Sequence, residues 1–176
     1  MLARSVRILL FAWLLAVPAT QAEYRQAAYR TESRQIAADK VLVIKSERRL
    51  FLMRGAEVLR SYRVALGLNP VGPKERSGDF RTPEGLYRLT NRNFFSQYFL
   101  SIKISYPDAN DQAYARRNGW EAGGQVMIHG LPNTPKYELD YYSTRDWTNG
   151  CIALTNADML ELWSLVARNA IIEIRP

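Results

Sequence analysis

"VLVIKSERRLFLMRGAEVLRSYRVAL" runs from Val41 to Leu66, and its periodicity decides the fold. "VLVIK" and "RLFLM" are short runs of β-branched and large apolar residues. "SER" and "RGAE" follow them with the polar and glycine residues that turns require, and "EVLRSYRVAL" alternates apolar with polar positions. A strand shows the same face every second residue, whereas a helix repeats every 3.6. Period two, interrupted by tight turns, predicts a β-meander.

Downstream, "GLNPVGPKERSGDFRTPEG" (Gly67 to Gly85) is too rich in glycine and proline to be regular. A loop this long inside a compact domain is commonly functional. Strands are expected again at "LYRLT", at "SIKISY" (Ser101 to Tyr106) and at "GQVMIHG", which ends at Gly130. "DANDQAYARRNG" between them predicts a short helix stopped by a glycine. Residues 131–148 form a second irregular stretch, rich in tyrosine and charge. Tyr106, Tyr137, Tyr141 and Tyr142 either line a cleft or simply pack.

Past Cys151 the period changes. Thr155 and Asp158 have the spacing of a capping box, a hydroxyl and a carboxylate placed to accept from free N–H groups. Met159, Leu162, Trp163 and Val166 then fall on one helical face. "AIIEI" closes the chain as a strand. The expected fold class is mainly β (α+β), with one firm amphipathic helix late in the chain.

Upstream, residues 23–39 are polar without an apolar stripe and predict a linker, so the domain is expected over 40–176. Residues 1–22 read as a secretory signal. Arg4 and Arg7 are basic, "ILLFAWLLAV" is apolar, and "ATQA" supplies small residues at a cleavage site. The apolar run is short for a membrane span, although an uncleaved anchor is the alternative. No cysteine follows it to carry a lipid. The expected location is outside the inner membrane, in the periplasm or cell envelope. The chain has 176 residues, 47% of them hydrophobic, which is enough for one domain with a real core. Its net charge is +7, or +5 without residues 1–22. That suits an acidic surface such as a cell wall. Nucleic acid is not an expected partner, because no basic helix or aromatic-basic motif is present.

Exported proteins usually pair their cysteines, and this one has a single cysteine, Cys151, and a single histidine, His129. No internal disulfide can form. One His and one Cys are too few for a zinc site, and no H-E-x-x-H spacing exists; no metal or cofactor is expected. A G-x-S-x-G elbow is absent too. One thiol and one imidazole are, however, the smallest set that makes an activated sulfur nucleophile. The thiolate attacks, and a neighbouring imidazole takes its proton and later returns it to the leaving group. Gly130 follows His129 and Gly150 precedes Cys151. A glycine there lets the backbone turn sharply and aim N–H groups at a developing oxyanion. A lone cysteine can equally be a small buried hydrophobe.

"IHG" (Ile128 to Gly130) followed by "TNGCIAL" (Thr148 to Leu154) resembles the signature of L,D-transpeptidases with a YkuD-type catalytic domain. "GDFRTPEGLYRL" (Gly78 to Leu89) is similar to a second stretch of that family, and "GCIAL" looks closest to its YafK-like murein subgroup. The resemblance implies a β-sandwich-like domain that acts on peptidoglycan peptide stems. Cys151 would attack the bond between meso-diaminopimelate and D-alanine and form a thioester. An amine acceptor would resolve it, or water would in a hydrolase of the same chemistry. That hydrolase would be an L,D-carboxypeptidase or an amidase that releases a wall-attached lipoprotein. A non-catalytic wall-binding module is a further alternative.

By position, the resemblance makes His129 the base and acid, and lets the Gly130 carbonyl orient the imidazole. It makes Gly150 and Cys151 the oxyanion donors and places Thr148 at the motif's hydroxyl. Asn149 stands where a basic residue is common, and Ala153 where Arg or Asn is, which leaves the acceptor open. Arg81 and Asn149 are the candidate substrate-binding residues. For Arg81 the alternative is a loop ion pair with Asp79 or Glu84.

Overall fold

The computed structural model describes residues 37–176. The expected signal, residues 1–22, and most of the expected linker lie outside the described residues.

The meander forms as the periodicity predicts. Strands β1 (Ala38–Ile44), β2 (Arg49–Arg54) and β3 (Glu57–Arg63) pair antiparallel in succession. Val41 and Val43 of β1 and Leu50 and Leu52 of β2 face the core, while their neighbours face outward. β1 already starts at Ala38, inside the stretch expected to be linker, because Ala38 is buried against Val166.

The last strand, β8 (Val166–Arg175), inserts beside the first. It lies parallel to β1 and antiparallel to β4 (Gly85–Ser96). β5 (Phe99–Ile104) pairs with β4, β6 (Met127–His129) with β5, and the two-residue β7 (Ile152–Ala153) runs parallel to β6. The order in the eight-stranded sheet is β3-β2-β1-β8-β4-β5-β6-β7. β4 is far longer than the expected "LYRLT". Its register with β5 breaks between Leu89 and Arg92, and it carries the sheet from the β8 side to the β5 side.

The two ends of this sheet meet. Just past β3, Ala65 bridges Ala153 of β7 through both its N–H and its carbonyl, at 2.9 and 2.8 Å. Gly67 pairs with Thr148. The sheet therefore curls on itself, which removes the exposed edges that an open sheet presents.

Helix α1 (Ala109–Arg117) carries a complete capping box between Asp108 and Asp111. Helix α2 (Leu139–Thr144) lies within the stretch expected to be wholly irregular. Its six residues make a single turn and a half, too short to show a period. Helix α3 (Asn156–Leu165) is the amphipathic helix of the sequence. Met159, Leu162, Trp163 and Val166 are all buried, but Val166 is extended and already opens β8. Only half of the expected capping box is made at its start. Thr155 Oγ1 accepts from the Asp158 N–H at 3.1 Å, with no return bond from Asp158. At the far end, Arg92 of β4 donates to the carbonyls of Trp163 and Val166 at 2.8 and 2.6 Å. It supplies donors that the last turn of a helix lacks.

Candidate active site

Cys151 sits immediately before β7, and the turn in front of it is rigid. Thr148 Oγ1 donates to the Cys151 carbonyl at 2.8 Å and accepts from the Gly150 N–H at 3.1 Å. The Thr148 N–H donates to the Leu66 carbonyl at 3.1 Å, and the Thr148 carbonyl accepts from the Leu68 N–H at 2.9 Å. Gly150 has φ +125°, and a Cβ there would lie 2.6 Å from the Arg81 carbonyl oxygen. Only glycine meets both conditions. The loop between β3 and β4 thus forms the floor on which the cysteine turn rests.

His129 is the last residue of β6, and the strand register aligns it with the cysteine. Ile128 pairs with Ile152 and His129 with Ala153. Cys151 is two residues before Ala153. Positions two apart share a face, so the thiol and the imidazole project to the same side of the β6/β7 ladder as diagonal neighbours. Both line one open groove of about 690 Å³, together with Gln97, Tyr98, Trp147 and Asn149.

The imidazole is held from two sides. Its Nδ1 lies 2.7 Å from the Gly130 carbonyl oxygen. A carbonyl can only accept, so Nδ1 bears the proton and Nε2 keeps its lone pair. Tyr98 and Trp147 flank the ring with centroids at 4.6 and 5.6 Å. A Cβ on Gly130 would come within 2.6 Å of Asn156 Oδ1, the atom that accepts the Leu131 N–H at 2.8 Å. The start of α3 is thereby tied to the histidine turn.

Burial dominates the electrostatics. His129 is 4% exposed, and burial pushes its pKa down to about 4 against the opposing pull of the Gly130 carbonyl. Burial also pushes the Cys151 thiol up, while the Met127 amide and the Lys74 charge work in the other direction. Sγ lies 3.7 Å from the Gln125 carbonyl oxygen, an acceptor that suits the protonated thiol. Both shifts favour the uncharged forms, a thiol and a neutral imidazole.

Of the residues expected from sequence, Cys151, His129, Thr148, Asn149 and Gly150 line the groove together. The Gly130 carbonyl lies against the imidazole. Two expectations need correction. The Gly150 N–H is not free for an oxyanion, because its one proton is engaged by Thr148 Oγ1. The Cys151 N–H has no acceptor among the described residues. Arg81 stands outside the groove lining, and its guanidinium is taken by Glu75 at 3.1 Å and the Pro73 carbonyl at 3.3 Å. Asp79 and Glu84, its expected partners in the loop reading, hold Lys74 and Lys45 instead.

Tyr106 packs in the core and donates to the Ala122 carbonyl at 3.0 Å. Tyr137, Tyr141 and Tyr142 line a neighbouring cavity of about 570 Å³ that shares Gln97, Tyr98 and Trp147 with the groove. Lys74, Tyr98, Gln125 and Trp147 were not legible as site residues. Tyr98 and Trp147 reach the imidazole and Gln125 the thiol only through tertiary contact, Lys74 lies against the Gly150 turn, and no local motif marks any of them.

A family model described as the L,D-transpeptidase catalytic domain, YkuD, matches residues 38–174. YafK of Escherichia coli (strain K12), provisionally named an L,D-transpeptidase, is 33% identical over 132 residues, which cover 72% of this chain and 46% of that protein. The chain thus spans about half the length of the curated relatives it matches. The solved structure of the helical cell shape determining protein Pgp2 from Campylobacter jejuni aligns with a TM-score of 0.55 at 25% identity, over 77% of this chain and 46% of that one. An L,D-transpeptidase from Mycobacterium smegmatis aligns with a TM-score of 0.51 at 12% identity, over 80% of this chain and 59% of that one, a likeness of fold alone.

Proposed function

Because the chain belongs to the family of YkuD-type L,D-transpeptidase catalytic domains, we propose that it is a cysteine acyltransferase of peptidoglycan peptide stems. The observation that carries this reading is the β6/β7 register. It sets the chain's sole thiol and sole imidazole on one face of an open groove, with Nδ1 of the imidazole engaged by the Gly130 carbonyl. The stem peptide lies in the groove with the carbonyl of its meso-diaminopimelate–D-alanine bond at Sγ. Nε2 of His129 removes the thiol proton as sulfur bonds to the carbonyl carbon. The carbonyl electron pair moves to oxygen, and the oxyanion accepts a hydrogen bond from the free Cys151 N–H. The intermediate collapses, the C–N bond breaks, and the imidazolium returns its proton to the D-alanine nitrogen. The product is a thioester. An incoming amine, deprotonated by the same Nε2, displaces sulfur and gives a new amide. Water in that position gives hydrolysis, and an amide to a wall-attached lipoprotein is an alternative bond for the same chemistry.

Residues 1–22 fit this reading as a secretory signal that delivers the domain to the periplasm, where its substrate is. The exposure of Asn149 in the groove lining supports a stem contact there, whereas the Arg81 guanidinium is engaged by Glu75 and the Pro73 carbonyl.

Purified protein given a disaccharide tetrapeptide tests the reading. Cross-linked dimer with released D-alanine, lost in Cys151→Ala, supports transpeptidation. Tripeptide with D-alanine and no dimer makes the protein the hydrolase. Unchanged substrate, with Cys151→Ala indistinguishable from wild type, rejects both and leaves a wall-binding module.

A further inference from the structure

The groove lining contains no Lys, Arg, Asp or Glu. His129 is buried and neutral at rest, so no cation lines the groove until the imidazole takes the thiol proton. A buried positive charge lies against the cysteine turn instead. Lys74, in the loop between β3 and β4, is 8% exposed. Its Nζ donates to Asp79 Oδ1 at 2.6 Å and to the Arg76 carbonyl at 3.0 Å. These bonds fix the ammonium 4.0 Å from the position a Gly150 Cβ would occupy, directly behind the cysteine turn.

Asp79 is itself saturated by backbone, its Oδ2 accepting from the N–H groups of Glu75 and Arg76 at 2.8 and 3.0 Å and its Oδ1 from that of Arg81 at 3.1 Å. The neighbouring charges are internally paired, since Glu75 holds Arg81. Lys74 Nζ lies against the Gly150 turn, and its charge favours the thiolate while burial opposes it. A buried charge is weakly screened, so its field reaches the sulfur across the turn.

We infer that Lys74 is a positioning residue of the reaction, a buried cation that favours the charged form of the Cys151 sulfur through the Gly150 turn without touching substrate. The inference deepens the acyltransferase reading and rests on it for its use in catalysis.

The test is the pH dependence of Cys151 alkylation by iodoacetamide in the full chain, which needs no peptidoglycan. Variants are Lys74→Met/Asp79→Asn, which removes both charges and leaves no orphan carboxylate, and Lys74→Arg, which keeps the cation. Thermal melts accompany each. The expected result is an alkylation profile moved to higher pH in the double variant, roughly tenfold slower at pH 8, with Lys74→Arg near wild type. In the double variant kcat on stem peptide falls with little change in KM. An unshifted profile in a folded double variant overturns the inference, as does a shift of the same size in Lys74→Arg. If stems are not turned over but the profile moves, the function reading fails while the Lys74 field stands. If stems are turned over and the profile does not move, the reverse holds.

Discussion

Cys151 and His129 are legible in the sequence because each is unique and each adjoins a glycine; their protonation states are not. The buried imidazole with a pKa near 4 remains a competent base well below pH 6. The acid limb of kcat/KM is accordingly expected near pH 4 rather than near 6.5, measured on stem peptide across pH 3.5–8. The same shift makes stability pH-dependent. Unfolded histidine titrates near 6.5, so between about 6.5 and 4 the unfolded chain binds a proton that the native one does not. Stability should fall as pH drops through that window, by roughly 3 kcal/mol in all. Urea melts at pH 7 and pH 4 measure it, and His129→Gln should lose most of this slope. The half-buried thiol is reachable from the groove, and a carbapenem should acylate it. Mass spectrometry that finds the adduct elsewhere, or none, counts against Cys151 as the nucleophile.

At the scale of elements, short pieces place the chemistry. Gly150→Ala forces a side chain into φ +125° and into the Arg81 carbonyl. It should lower stability by about 1–3 kcal/mol and abolish turnover, because the turn that orients Sγ cannot form. Thr155→Ala removes the one side-chain cap of α3 and should lower stability by about 1 kcal/mol. Its effect on turnover should exceed that of an exposed substitution elsewhere. The first residue of α3, Asn156, bonds the Leu131 N–H beside the histidine turn. Circular dichroism melts paired with kcat separate the two effects. The period of α3 was readable because ten residues show a repeat, whereas the two residues of β7 and the six of α2 show none.

For the whole molecule, the loop of residues 64–84 is what joins fold to site. It bridges the two ends of the sheet at Ala65 and Ala153, and it supplies the Arg81 carbonyl and the Lys74 ammonium behind the cysteine turn. Lys45, 2% exposed, anchors it by donating to the Gly72 and Thr82 carbonyls at 2.6 and 3.0 Å and to Glu84 at 2.8 Å. Lys45→Met should cost about 3 kcal/mol, since it leaves Glu84 and two carbonyls without their partner. Limited proteolysis should then cut within 64–84 before any other described segment. Uniform cleavage would show that the loop is held by other means.

Periodicity and composition by themselves determined the meander, the late helix and the closing strand, and they singled out one thiol and one imidazole as the candidate pair. Those are local properties, set by which side chains repeat every two or 3.6 residues and by which reactive groups exist at all. Only the tertiary structure decided that the sheet curls until β3 and β7 meet, and that the Gly150 N–H is consumed by Thr148. It also decided that Arg81 faces Glu75, and that Lys74 lies against the Gly150 turn. These depend on hydrogen bonds and charges between segments tens of residues apart, and no local pattern in the chain encodes which distant partner each group will find.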